Sequence, residues 1–263
     1  LLYGENGNDD LEVFIETYRT QQTDGDNNLP VSAYLNGGDG NDTLKIQGYL
    51  YLYGGSTTAT AIGESGDDTI TIIDHGSNAA SGYSSVTVDG GDGKDRITVS
   101  GSFATSIKTG AGVDTIVLTT SQYKKLLVGA QGVRQPDGSD VAISPEPFVI
   151  TDFTTGSGGD VIDYGDLLRN ASTTYDGSNP FSKGFLALEQ NGNDTLLLFD
   201  PDGEAGGSGS KTVMAIIQNT NKDAFIADNF NPNFPTDGSP APKQTIAGTQ
   251  LDDTLVGGFG DDD

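Results

Sequence analysis

The chain has 263 residues, with 13 Lys plus Arg against 38 Asp plus Glu, for a formal charge of −25. That excess opposes binding to nucleic acid or anionic membrane surfaces, and it resists compaction unless cations lie close by. Apolar content of 34%, 38 Gly and no Cys leave a thin core without disulfides to brace it, so metal is the next candidate.

No run of roughly 18 apolar residues occurs, so no membrane-spanning helix is expected. The opening Leu1-Leu2-Tyr3-Gly4 has neither an initiator Met nor the pattern of a signal peptide, and the sequence reads as a segment of something longer.

An internal repeat governs the first 118 residues. "GGDGNDTLK" at 37–45 and "GGDGKDRIT" at 90–98 fit G-G-x-G-x-D-x-U-x, where U is a large apolar residue. "GENGNDDLE" at 4–12 and "GESGDDTIT" at 63–71 have Glu for the second Gly, and "TGAGVDTIV" at 109–117 has Thr109 for the first. Glycines let six residues turn tightly and let successive backbones approach closely. Such a turn exposes carbonyl oxygens, and its sixth-position Asp adds a carboxylate. Calcium takes six to eight oxygens at about 2.3–2.6 Å, more than one turn offers, so stacked turns would share each ion. The last three residues of each motif read as a short strand, with Leu11, Leu44, Ile70, Ile97 and Ile116 pointing inward.

These motifs resemble the RTX, or haemolysin-type, calcium-binding repeats of bacterial proteins exported by type I secretion. The resemblance implies an all-β fold, a parallel β-roll or β-solenoid with calcium between adjacent turns. It makes Asp9, Asp42, Asp68, Asp95 and Asp114 the sixth-position ligands. The glycines of the same turns, Gly4, Gly7, Gly37, Gly40, Gly63, Gly66, Gly90, Gly93, Gly110 and Gly112, frame the ion sites.

Motif starts at 4, 37, 63, 90 and 109 are separated by 33, 26, 27 and 19 residues. A roll of pure nonapeptides would step by roughly half the shortest of these. The residues between motifs read strand, turn, strand, so the Asp turns are expected along one edge of the solenoid. The other edge would carry metal-free loops, the longest at 18–30, 55–62 and 74–84. Five stacked turns would enclose roughly four sites.

After about 118 the repeat stops. "TTSQYKKLLVGAQG" reads equally as a short helix or a strand. "FVITDFTTGSGGDVIDYGDLL" at 148–168 resembles the segment that follows the repeats in type I secretion target domains. By that resemblance Asp152, Asp160 and Asp163 are calcium-ligand candidates at the end of the ladder; the alternative is a strand–turn–strand with solvated carboxylates. "GFLALEQNGNDTLLLF" predicts a hairpin with its turn at Gln190–Asn193, "TVMAIIQN" a third strand, and "DAFIADNF" resembles the close of the same family domain. Asp200, Asp202 and Glu204 alternate as in single-loop calcium sites, but Pro201 and Gly203 also suit an ordinary turn. "TDGDNN" at 23–28 poses the same choice.

The expected organisation is a roll over 1–118 and a small antiparallel β capping domain over 119–230. A Pro-rich linker over 231–245 and the start of a second array over 246–263 follow. In that array Asp253, Gly257, Gly260 and Asp262 would be the metal-turn residues. Because a second array follows, 119–230 reads as a cap between arrays and not as a terminal export signal.

No catalytic constellation is expected. His75 is the one histidine, in a loop-like "IDHGSN", and with no Cys a zinc site would be starved of ligands. The expected function is a calcium-folded structural module of a secreted surface protein: an adhesin, surface layer or filament component at the bacterial cell surface. The alternative is an accessory calcium-binding region of a type I secreted enzyme or toxin whose active domain lies elsewhere. The expected partners are calcium, the type I secretion machinery during export, and further copies of the chain head to tail, as covalent tandems or stacked protomers.

Overall fold

The computed structural model describes residues 1–15, 31–48, 57–75, 84–101, 104–129, 133–134, 140–141, 147–172, 174–205 and 211–240. The second array with Asp253, Gly257, Gly260 and Asp262, the stretch 23–28, the loop 18–30 and most of the loop 74–84 lie outside these residues. The expected loop at 55–62 is overturned: from Thr57 onward it is a strand, with Ala59 and Ala61 alternating into the core.

In chain order the first ten strands are β1 (Leu2–Tyr3), β2 (Asp10–Ile15), β3 (Val31–Asp39), β4 (Thr43–Gly48), β5 (Thr57–Ser65), β6 (Thr69–Asp74), β7 (Ser84–Gly93), β8 (Arg96–Ser100), β9 (Ala104–Gly112) and β10 (Thr115–Val117). Odd strands form one parallel sheet and even strands another, so each coil of the chain contributes one strand to each. The Asp/Gly motifs make every passage from the first sheet to the second and therefore share one edge. Pairing of Leu11 with Leu44, Leu44 with Ile70, Ile70 with Ile97 and Ile97 with Ile116 keeps the motifs in register despite unequal coil lengths.

Strict alternation builds the core. In β4 and β6, Leu44, Ile46, Ile70 and Ile72 are fully buried while Thr43 and Thr69 face out. Against them the first sheet presents Leu35, Ala61, Val88 and Ile107. Each buried Val, Leu or Ile contributes about 1.5–3 kcal/mol. Leu11 is only partly buried, because β2 is the edge of its sheet.

Both sheets run on past residue 118. A helix, α1 (Thr120–Gly129), follows β10, and a two-stranded ribbon of β11 (Val133–Arg134) and β12 (Asp140–Val141) comes after it. The segment open to either reading is thus helical. Strand β13 (Phe148–Ile150) then pairs in parallel with β9, and β14 (Val161–Asp163) pairs in parallel with β10. After α2 (Gly165–Asn170) come β15 (Leu186–Asn191), β16 (Asp194–Phe199), β17 (Thr212–Ile217) and β18 (Phe230–Asn231). The expected hairpin is β15–β16, and β16 also pairs antiparallel with β17. Yet β17 is parallel to β13 and β18 is parallel to β14. The antiparallel cap is thus seen in part, as the outer strands of a sheet that is otherwise parallel. Around β14 and β18 the rings of Tyr164, Phe181, Phe225 and Phe230 pack with centroids 5.1–6.4 Å apart.

Candidate metal centre

Each motif turn delivers its sixth-position Asp to the same place, one coil above the last. Asp42, Asp68, Asp95 and Asp114 are at most 2% exposed; Asp9, at the open end, is half-buried. One oxygen of each of Asp42, Asp68, Asp95 and Asp114 locks the stack. Asp9 N donates to Asp42 Oδ1 at 2.7 Å, Asp42 N to Asp68 Oδ1 at 2.7 Å, Asp68 N to Asp95 Oδ1 at 2.9 Å and Asp95 N to Asp114 Oδ1 at 2.8 Å.

The second oxygen has nothing. Oδ2 of Asp9, Asp42, Asp68, Asp95 and Asp114 is buried without a hydrogen-bond partner. Native folds pair nearly all such atoms, so a column of five calls for a ligand. Oδ2 of Asp9, Asp42, Asp68 and Asp95 each faces the first residue of its own turn, where glycine leaves a cradle. A Cβ on Gly37 would lie 2.2 Å from Asp42 Oδ2 and 2.9 Å from the Gly63 carbonyl oxygen. On Gly63 it would lie 2.2 Å from Asp68 Oδ2 and 2.1 Å from Gly90 O; on Gly90, 2.5 Å from Asp95 Oδ2 and 2.2 Å from Thr109 O. Gly4 repeats the pattern with Asp9 Oδ2 and Gly37 O. Oxygens of two successive turns thus converge with no donor between them.

That donor set fits a hard cation such as calcium, which takes carboxylate and carbonyl oxygens in flexible geometry. Among the described residues no point gathers three or more carboxylate or imidazole groups. An ion in this ladder would therefore rest on main-chain oxygens as much as on carboxylates, as the cradles allow. Without a cation the carboxylates are held in an adverse field. Burial, reinforced by the neighbouring aspartates, raises Asp68 and Asp95 to about 6 and Asp114 to about 7.

One feature of the turns was not anticipated. The fifth positions form their own column: Asn8 Oδ1 accepts from Asn41 N, Asn41 Oδ1 from Asp67 N, and Asp67 Oδ1 from Lys94 N, each at 2.9 Å. Aligning the motifs by position exposes it, since Asn8, Asn41 and Asp67 each carry a short side chain with an acceptor oxygen. The close approach expected of the glycines is seen at the fourth position, where a Cβ on Gly93, at φ 146°, would lie 2.0 Å from Gly66 O.

The C-terminal candidates are held differently. Asp160 joins the ladder, accepting from Asp114 N at Oδ1 (3.0 Å), but its Oδ2 accepts from Thr154 N at 2.8 Å. Asp152 lies beside it and accepts from Thr109 N at Oδ1 (2.8 Å) and Gly110 N at Oδ2 (3.1 Å). Asp163 is not brought to the ladder. Its Oδ1 accepts from Gly165 N, and its Oδ2 pairs with Arg96 at 3.3 Å.

In the loop after β16, Asp202 N donates to Asp200 Oδ1 at 3.3 Å, and Asp202 Oδ1 is buried without a partner. Glu204 is exposed there, with its N–H on Lys183 O. His75 follows β6 directly, with Nε2 3.3 Å from Gln47 Oε1. No helix of the described residues is long and apolar enough to cross a membrane.

No family model and no curated protein matches the chain. Among solved structures it is similar to the solution structure of the AlgE6R3 subunit from the Azotobacter vinelandii mannuronan C5-epimerase. The identity is 18%, covering 96% of this chain and 94% of that chain, with a TM-score of 0.27. So distant a likeness carries no inference about function, and the site stands on its own geometry.

Proposed function

We propose that this chain is a calcium-dependent structural module of a secreted bacterial surface protein, without catalytic activity of its own. The observation that carries the reading is the column of five buried, unpartnered Asp Oδ2 atoms, four of them facing glycine cradles. An unsatisfied buried polar atom costs about 1–3 kcal/mol, and more when charged. The four that face cradles together reach on the order of 4–12 kcal/mol, the size of a whole domain's net stability. The ladder coils therefore need a counter-charge to be stable at neutral pH.

Bound in the cradles, calcium supplies that positive charge, so its binding energy becomes folding energy. The protein's own residues do the rest. Position-one glycines keep the cradles open, Oδ1 of each Asp fixes the turn spacing, and the inward aliphatics set the distance between sheets. Calcium is scarce in the cytosol and abundant outside, so a chain of this kind stays open for type I export and orders afterwards. A role in an adhesin, surface layer or filament fits a module whose ladder stabilises and performs no reaction. Far-UV circular dichroism of the chain in calcium and in excess chelator tests the proposal. The expected result is a large loss of β signal on chelation; equal spectra would sink it.

A further inference from the structure

The ladder's last step differs from those before it in one residue. Thr109 stands in register with Gly90, flanked by the pairs Asp89–Lys108 and Gly91–Gly110, so it occupies the position-one place of the fifth turn. It is fully buried, and it has the Cβ that Gly4, Gly37, Gly63 and Gly90 lack. Its Oγ1 lies 3.0 Å from Asp152 Oδ1 and 3.1 Å from Asp160 Oδ2, so one hydroxyl proton is shared between two carboxylates. Both of those oxygens also accept main-chain N–H groups, from Thr109 and Thr154. On the near side, Asp114 is fully buried and its Oδ2 has no partner.

We propose that Thr109 closes the metal ladder, its side chain filling the space that the earlier steps leave for a cation. Divalent cations are then taken at the steps Asp9–Asp42, Asp42–Asp68, Asp68–Asp95 and Asp95–Asp114, and the step from Asp114 to Asp160 is joined by hydrogen bonds alone. The step is a latent cation site. With the side chain removed, the fifth turn would have the same bare position one as the four before it, next to an Asp114 Oδ2 that has no partner, and Asp152 and Asp160 would lose the hydroxyl they share. The inference rests on the calcium-ladder reading above and deepens it, by assigning where the ladder stops and which residue stops it.

The experiment counts calcium ions per chain by equilibrium dialysis and isothermal titration, using calcium alone and the full chain. Thr109→Gly is expected to bind one ion more than the wild type, and Thr109→Ser, which keeps a Cβ and a hydroxyl, the same number as the wild type. Equal counts for Thr109→Gly and the wild type overturn the proposal, and leave the ladder reading intact if Asp68→Ala loses an ion. A wild type that binds no calcium refutes the ladder reading itself. Should Thr109→Gly fail to fold, an anomalous-scattering map of calcium-soaked wild-type crystals decides: ions at the four earlier steps and none against Asp114 Oδ2 are expected. A peak there would overturn the proposal.

Discussion

Two regions share one architecture but differ in chemistry. Between residues 31 and 117 the described buried apolar side chains are Ala, Val, Leu and Ile, with no aromatic ring among them. Between 147 and 231 the same two sheets enclose Phe148, Phe153, Tyr164, Phe185, Phe199, Phe225 and Phe230. The carboxylates along the column of turns divide the same way. Asp42, Asp68, Asp95 and Asp114 each keep one oxygen unpartnered, whereas Asp160 and Asp152 accept hydrogen bonds at both of theirs. Large rings bury far more surface per residue than Ala or Val. The lesson is that a parallel roll can continue on two chemistries, one with aromatic volume in its core and one with small apolar side chains beside a column of carboxylates whose second oxygens have no protein partner; under the proposed function, cations make up the difference.

The largest expected effect breaks the comparison open directly. In excess chelator, hydrogen–deuterium exchange of the full chain should lose slow exchange across β3 to β10 and retain it in β15 to β18. A difference on the order of 5 kcal/mol in local opening corresponds to roughly a thousandfold or more in exchange rate. Uniform loss, or none, would show that the two regions do not differ in what holds them. A single-site version is Asp68→Ala in saturating calcium. It removes a ligand oxygen and also the acceptor for Asp42 N, so a loss of about 3–5 kcal/mol is expected by urea denaturation. A loss below 1 kcal/mol would mean that the column is not what stabilises the coils.

The sequence announced the first region better than the second, for a physical reason. Motif spacing predicted the pairing of Leu11, Leu44, Ile70, Ile97 and Ile116, because a nonapeptide turn fixes its strand locally. The stacking of Asp42, Asp68, Asp95 and Asp114 followed from the same repeat. The segment holding β13 and β14 was marked by its resemblance and placed at the end of the ladder, but the parallel pairing of β17 with β13 and of β18 with β14 was not legible. No nonapeptide marks these strands, and Ile150 pairs with Ile107 and Ile217 across intervening helix and hairpin. The work of Thr109 was hidden likewise: its hydroxyl acts on Asp152 and Asp160, 43 and 51 residues away. In sequence it read only as an imperfect first position.

Glycine substitution sharpens the comparison at smaller scale. Gly93 and Gly156 both have positive φ, 146° and 91°. A Cβ on Gly93 meets Gly66 O at 2.0 Å, whereas one on Gly156 meets nothing within 4 Å. Gly93→Ala should therefore cost about 2–3 kcal/mol and weaken calcium binding, since the coils must part to admit the methyl group. Gly156→Ala should cost about 1 kcal/mol from backbone strain alone and leave calcium binding unchanged. Equal effects in thermal melts would refute the claim that close coil contact is peculiar to the ladder.

The smallest expected effect concerns the tie between the two regions. Arg96, on β8, reaches Asp163, on β14, at 3.3 Å, with side chains 50% and 15% exposed. The sequence made Asp163 a calcium-ligand candidate; the structure makes it one half of an ion pair with Arg96. The two roles separate cleanly in Asp163→Asn. An exposed pair contributes about 0–1 kcal/mol and is screened by salt, so the substitution should cost less than 1 kcal/mol, shrink further in 0.5 M NaCl, and leave the calcium count as it was. Loss of an ion with a salt-independent cost of several kcal/mol would return Asp163 to the ladder. It would also mean that the C-terminal coils share the chemistry of the first region, and the division between ring-filled and cation-filled coils would have to move.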